Sequence, residues 1–209
     1  MIRLYKLAWL SIAVTLTVVF VFLAILAIHL IGRHPDCDYG KAEALNYAII
    51  AHDIPKIKNL ILEDKKILDA TGVNGSTPMC CAVETGQTNI VDLLLKSGAN
   101  LNQPGPMGIT PLHCAAARPD EAMVEFLLVR GANLNSKAFN GITPLHMAVN
   151  YKQRRIVEIL ILRGADLTAR GNFDGQSATD TMDLYTPLQW AIKIGAFDMA
   201  ELLQTSGAL

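Results

Sequence analysis

Cys80, His113 and His146 follow one another at equal intervals of 33 in the numbering, and Cys81 precedes Cys114 by the same interval. Cys37 completes the set of thiols. These side chains are the ones in the chain suited to hold a metal, attack a substrate or form a disulfide. Their spacing argues against each. Structural zinc sites pair their ligands a few residues apart, as in Cys-x-x-Cys, and no such pair occurs. Residues one period apart fall on equivalent helices of neighbouring units, about 8–10 Å from one another. Disulfide Cα atoms seldom exceed about 6.8 Å, so no bridge is expected between Cys81 and Cys114. Cys80 and Cys81 are adjacent and point in different directions. The thiols read as small buried hydrophobes, with Cys37 free in a linker. The two histidines, one unit apart rather than side by side, make no metal or catalytic pair. No nucleophile–base pair, glycine-rich phosphate loop or paired-carboxylate arrangement stands out. The chain is read as a non-enzyme, with no cofactor, no metal and no small-molecule substrate.

The elements that carry these residues repeat. Thr77-Pro78-Met79-Cys80-Cys81-Ala82, Thr110-Pro111-Leu112-His113-Cys114-Ala115 and Thr143-Pro144-Leu145-His146-Met147-Ala148 start one such interval after another. Thr186-Pro187-Leu188-Gln189-Trp190-Ala191 starts 43 further on. Each threonine is a good helix N-cap, because its hydroxyl accepts from first-turn amides. Proline fits the next position, where a helix has no use for its N–H. A second helix follows in each unit, from Ile90-Val91, Met123-Val124 and Ile156-Val157, apolar nearly all round as expected of a helix between neighbours. Gly98, Gly131, Gly164 and Gly207 read as left-handed C-caps. Gly75, Gly108 and Gly141 each sit two residues before the threonine, at a tight turn.

This pattern, with Gly-Ile-Thr-Pro-Leu-His twice and Leu-Leu-x-x-Gly-Ala-Asn twice, resembles the ankyrin repeat family. The resemblance covers residues 75–209. It implies an all-α solenoid of about five helix-turn-helix units with short β-turn fingers. The units are 42–74 (a degenerate first copy), 75–107, 108–140, 141–182 with a finger insertion, and 183–209 as the other cap. It also implies that His113 and His146 bond to backbone of the adjoining repeat.

Ahead of the repeats, the run from Leu7 to Ile31 carries no formal charge. As a helix it would reach roughly 37 Å, against a hydrocarbon core of about 30 Å. That run is too long for a signal-peptide core and is read as an uncleaved anchor, between a basic flank at 1–6 and a linker at 32–41. Arg3 and Lys6 favour a cytoplasmic N-terminus and a translocated, periplasmic body in a single-pass inner-membrane protein. The opposing argument is that such repeats are mostly cytosolic. Setting aside Arg3 and Lys6 leaves 16 basic and 19 acidic residues over 33–209, a net −3, which offers nucleic acid no basic face.

In ankyrin proteins the finger tips and the ends of the first helices form the concave binding surface. Carried onto this chain, the tips supply Met107, Lys137, Phe139, Asn172, Phe173 and Asp174. The helix ends supply Glu84, Thr85, Arg118, Asn150, Tyr151 and Lys193. Aromatic residues and arginine are the usual anchors of hot spots, although Phe139 or Phe173 would equally cover a neighbouring turn. The ten-residue insertion before Thr186 either touches the partner or is a tolerated surface loop. The partner is read as a protein. Two roles follow from the resemblance: an immunity protein that occludes a toxic effector in the periplasm, or an adaptor that recruits an endogenous protein to a membrane complex.

Overall fold

The computed structural model describes residues 39–72, 75–173 and 184–207. The anchor run Leu7–Ile31, the flank 1–6, Cys37 and Asp174 lie outside them. Among the described residues no helix is long and apolar enough to cross a membrane.

Ten α-helices among these residues pair into five hairpins. They are α1 (Tyr39–Ile50) with α2 (Ile54–Glu63), α3 (Pro78–Glu84) with α4 (Thr88–Ser97), and α5 (Pro111–Ala116) with α6 (Glu121–Val129). Then come α7 (Pro144–Asn150) with α8 (Arg154–Leu162), and α9 (Pro187–Lys193) with α10 (Phe197–Thr205). From α3 onward each first helix packs on the first helix of the next hairpin, and α6, α8 and α10 pack in succession behind them. The architecture is an all-α ankyrin-type solenoid. The α1 helix starts at Tyr39, so the last residues of the expected linker 32–41 are already helical. Its buried face explains the early start: Ala42, Leu45, Ala48 and Ile49 recur at helical spacing and all point inward.

Local chemistry sets the helix starts. Thr77 Oγ1 accepts from the Cys80 amide at 3.2 Å, and Thr186 Oγ1 from Gln189 at 3.3 Å. Each threonine is followed by proline at the first helical position. The second helices of two units use aspartate instead: Asp53 caps α2 and Asp120 caps α6, each at 3.0 Å. Gly98, Gly131, Gly164 and Gly207 take left-handed φ at the helix ends. The core is one continuous apolar stack, from Leu45, Ile49 and Ile57 through Leu94, Leu112, Leu127 and Leu145 to Leu160 and Leu203.

Candidate functional site

The fingers are built on side chains that link one unit to the next. Asp69 Oδ1 accepts from the Asn100 amide at 2.9 Å, Asn102 Oδ1 from Asn133 at 2.7 Å, and Asn135 Oδ1 from Asp166 at 2.9 Å. Asp69, Asn102 and Asn135 are one period apart, so this is a ladder of equivalent bonds. Each satisfies a loop amide that would otherwise need water. Asp166 lies in the same ladder, and the hydroxyl and amide of Thr168 hold its carboxyl below the usual carboxylate range. At the finger base, one backbone bond also recurs: Gly72 to Ser76, Gly105 to Ile109, and Ala138 to Ile142, at 2.7–3.0 Å. In the fourth finger Gly171 and Tyr185 exchange two such bonds at 3.0 Å, although the whole insertion lies between them in sequence. The insertion therefore enters and leaves through a base pair that the shorter fingers share.

Histidines tie the first helices together beneath the fingers. His113 Nε2 donates to the Ile142 carbonyl at 3.1 Å and His146 Nε2 to that of Tyr185 at 2.9 Å. Their Nδ1 atoms accept from the amides of Thr110 and Thr143 at 3.2 and 3.3 Å. Burial, first of all, holds both imidazoles below their usual pKa. Both are fully enclosed, which leaves them positioning backbone rather than meeting a ligand. Asn46 makes the corresponding bond from α1, donating to the Ser76 carbonyl at 3.1 Å. No His, Cys, Asp and Glu cluster able to hold a metal ion occurs among the described residues.

The exposed set is divided by these contacts. Met107 (66% exposed), Phe139 (55%) and Tyr151 (52%) stand out from two finger tips and one helix end. Met107 does so from a left-handed backbone at φ 62°, as Asn140 does one period later at φ 58°. Glu84, Thr85, Arg118, Lys137 and Lys193 are exposed as well. Thr85 has spent its hydroxyl on the Cys81 and Ala82 carbonyls. Asn150 is half-buried and accepts from the Trp190 indole at 3.2 Å. Asn172 does not belong with a binding surface: it is only 7% exposed, its amide donating to the Asn140 carbonyl at 3.2 Å. Phe173 covers its neighbour, stacking on Trp190 with ring centroids 5.0 Å apart.

At the C-terminal end, finger and helix meet in a groove of about 370 Å³ lined by Arg170, Leu184, Tyr185, Gln189, Ile192 and Lys193. The Lys193 ammonium lies over the Tyr185 ring at 4.3 Å and the Trp190 ring at 5.1 Å, a favourable cation–π arrangement. Sequence reasoning missed Tyr185 and Ile192 here. The signal was an aromatic residue directly before the Thr186 cap. The other side of the stack carries charges that pair among themselves: Asp92 with Arg130 at 2.6 Å, Glu121 with Arg155 at 3.7 Å, Glu125 with Arg163, and Arg154 with Asp198 at 3.8 Å. Val129 and Leu162, one period apart on the second helices, are exposed between these pairs.

The period, the finger ladder and the histidine bonds define one kind of repeat. The family described as ankyrin repeats (three copies) matches residues 23–105 and 100–171, its first match starting inside the run read as an anchor. No curated protein matches the chain. The matched residues span most of the sequence and the helix pairs coincide with its repeats, so this chain belongs to the ankyrin repeat family and is a protein–protein interaction module.

Proposed function

We propose that this chain is a membrane-tethered module whose fingers and first-helix ends clasp a protein partner, and that it acts as an immunity protein by covering the mouth of a toxic effector's active site. The observation that carries the binding face is the exposed set Met107, Phe139, Arg118 and Tyr151, of types enriched in protein interfaces. On the opposite side, charges of α4, α6, α8 and α10 are paired across neighbouring repeats. The length and apolarity of Leu7–Ile31 support the tether, and Arg3 and Lys6 support a translocated, periplasmic body. Residues 23–31 are shared between that run and the family match. Occlusion requires slow dissociation, which comes from buried anchors rather than from long-range charge.

The test is affinity capture of the solubilised full-length chain from envelope extract. A secreted effector enzyme is expected, and its activity should fall on binding. Phe139→Asp and Tyr151→Asp should each weaken capture by about tenfold or more without altering the fold. An endogenous housekeeping partner would replace the immunity role with the adaptor role. A C-terminal topology reporter active in the cytoplasm would remove the translocated body.

A further inference from the structure

In four of the five hairpins the turn between the two helices holds one residue with a left-handed backbone: His52, Gly86, Lys152 and Gly195, at φ 55–71°. Glycine bears that conformation freely, and a residue with a Cβ does not. His52 is tied there by its side chain, with Nδ1 hydrogen-bonded to Gln87 Oε1 at 2.8 Å. Lys152 has no such tie among the described residues and stands exposed. Its neighbour Tyr151 is exposed too, and Arg118 holds the position of Tyr151 one repeat earlier. Equivalent positions of adjoining repeats lie about 8–10 Å apart. Tyr151 therefore has one cation beside it in sequence and another on the repeat before it. The third finger shows the same combination, with Lys137 exposed two residues before Phe139.

Charge on the outer helices is used differently. Arg130, Arg154, Arg155 and Arg163 each meet a carboxylate. Arg118, Lys137 and Lys152 form no ion pair among the described residues; the aspartates of the insertion lie outside these. Asp120, in the turn after Arg118, accepts from the Met123 amide at 3.0 Å, and Asp166, on the adjoining finger, from the Thr168 hydroxyl at 2.7 Å. We propose that this face docks an acidic protein surface, with carboxylates meeting Arg118, Lys137 and Lys152 around contacts to Tyr151 and Phe139. The inference rests on the reading of fingers and first-helix ends as the docking face, and adds the chemistry of what is docked. Complementary charge speeds encounter and excludes wrong partners. Nucleic acid fits less well: the body is net negative over 33–209, and the three cations are interleaved with exposed methionine and aromatic side chains rather than massed in a basic stripe. For an occluded effector, the consequence is a carboxylate-lined mouth rather than a phosphate-gripping one.

The test uses the full-length chain in non-ionic detergent and two labelled peptides of equal length. One alternates Glu with Tyr and Ser; the other has Lys in place of Glu. Fluorescence anisotropy should show the Glu peptide bound at least about tenfold more tightly than the Lys peptide, and the difference should shrink as salt rises. Arg118→Glu and Lys152→Glu should each weaken the Glu peptide by about tenfold, whereas Lys58→Glu, exposed on the outer helix α2, should leave it unchanged. Lys152→Gly separates binding from folding. It should weaken the Glu peptide by about threefold without lowering Tm, because glycine removes the left-handed penalty. Three outcomes overturn the proposal: equal binding of the two peptides, equal losses from Lys58→Glu and Lys152→Glu, or displacement of the Glu peptide by oligothymidylate at matched charge concentration. If no effector is captured while the Glu peptide binds as stated, the immunity role falls and the acidic docking surface stands. An effector captured through a basic surface does the reverse.

Discussion

Each repeat histidine is kept neutral by what faces its two ring nitrogens. An amide N–H points at Nδ1, so the proton sits on Nε2 and is donated to the next repeat. A second proton would place two donors head to head inside the core. Since the folded pKa lies below the ordinary value of about 6.5, the unfolded chain binds protons first. Stability is therefore complete above that value and declines as pH falls through and below it. Urea midpoints measured from about pH 7 to about pH 5 should fall, and His146→Gln should flatten part of the slope. Gln189 supports that choice, because its side chain accepts from the Thr186 amide at 3.0 Å as the histidines do from theirs. Thr143→Ala should cost about 1 kcal/mol in unfolding free energy. The histidine and threonine roles were legible from the repeated motif. The Trp190–Asn150 bond was not, because it joins residues 40 positions apart and depends on how the last repeat seats on the fourth.

At the scale of elements, the fingers separate two kinds of glycine. Gly98 has φ 103° and a Cβ there would meet nothing within 4 Å. Gly141 has φ 75° and a Cβ would come 2.3 Å from the Arg170 carbonyl oxygen of the next finger. Gly98→Ala should cost about 1 kcal/mol, the left-handed penalty alone. Gly141→Ala should cost more, about 3 kcal/mol, because backbone must move as well; denaturant unfolding distinguishes them. Leu184 stands where Gly141 stands one unit earlier. A leucine resists the left-handed turn that a short finger needs, and the insertion relieves that demand. Deleting residues 174–183 restores the period of the preceding repeats. Combined with Leu184→Gly, it should change stability by less than about 1 kcal/mol, since closure entropy varies slowly with loop length. Loss of partner affinity in that variant would place the insertion at the interface. Retaining Asn172 and Phe173 is essential, as both are packed into the last repeat. The helices and turns themselves were legible because caps, prolines and glycines act within a few residues; the start of α1, within the span read as a linker, follows from burial of Ala42 and Leu45 against the rest of the stack, which local residues do not announce.

Among the described residues, each helix hairpin from α3 onward packs against the next hairpin in sequence, so stability is carried repeat by repeat. Trp190 anchors the last repeat through Asn150, Phe173 and Tyr185. Trp190→Ala should cost about 3–5 kcal/mol. The loss should be local: hydrogen exchange is expected to show α9 and α10 unprotected while α5 and α7 keep their protection. The ion pairs across α4, α6, α8 and α10 are partly exposed and contribute at most about 1 kcal/mol each. Their consequence is for recognition. They neutralise much of the charge on α4, α6, α8 and α10, while the finger tips present methionine and aromatic surface.

The order of caps, turns and apolar faces, and with it the repeat architecture, was determined by the sequence alone, since each depends on residues a few positions apart. Only the tertiary structure decided which side chains meet between layers. Asn102 reaches the Asn133 amide, Asn172 is enclosed, and Phe173 lies on Trp190. These outcomes depend on the angle and offset at which one repeat seats on the next. The repeat period counts the positions between layers but does not set that geometry; the packing of the apolar side chains does.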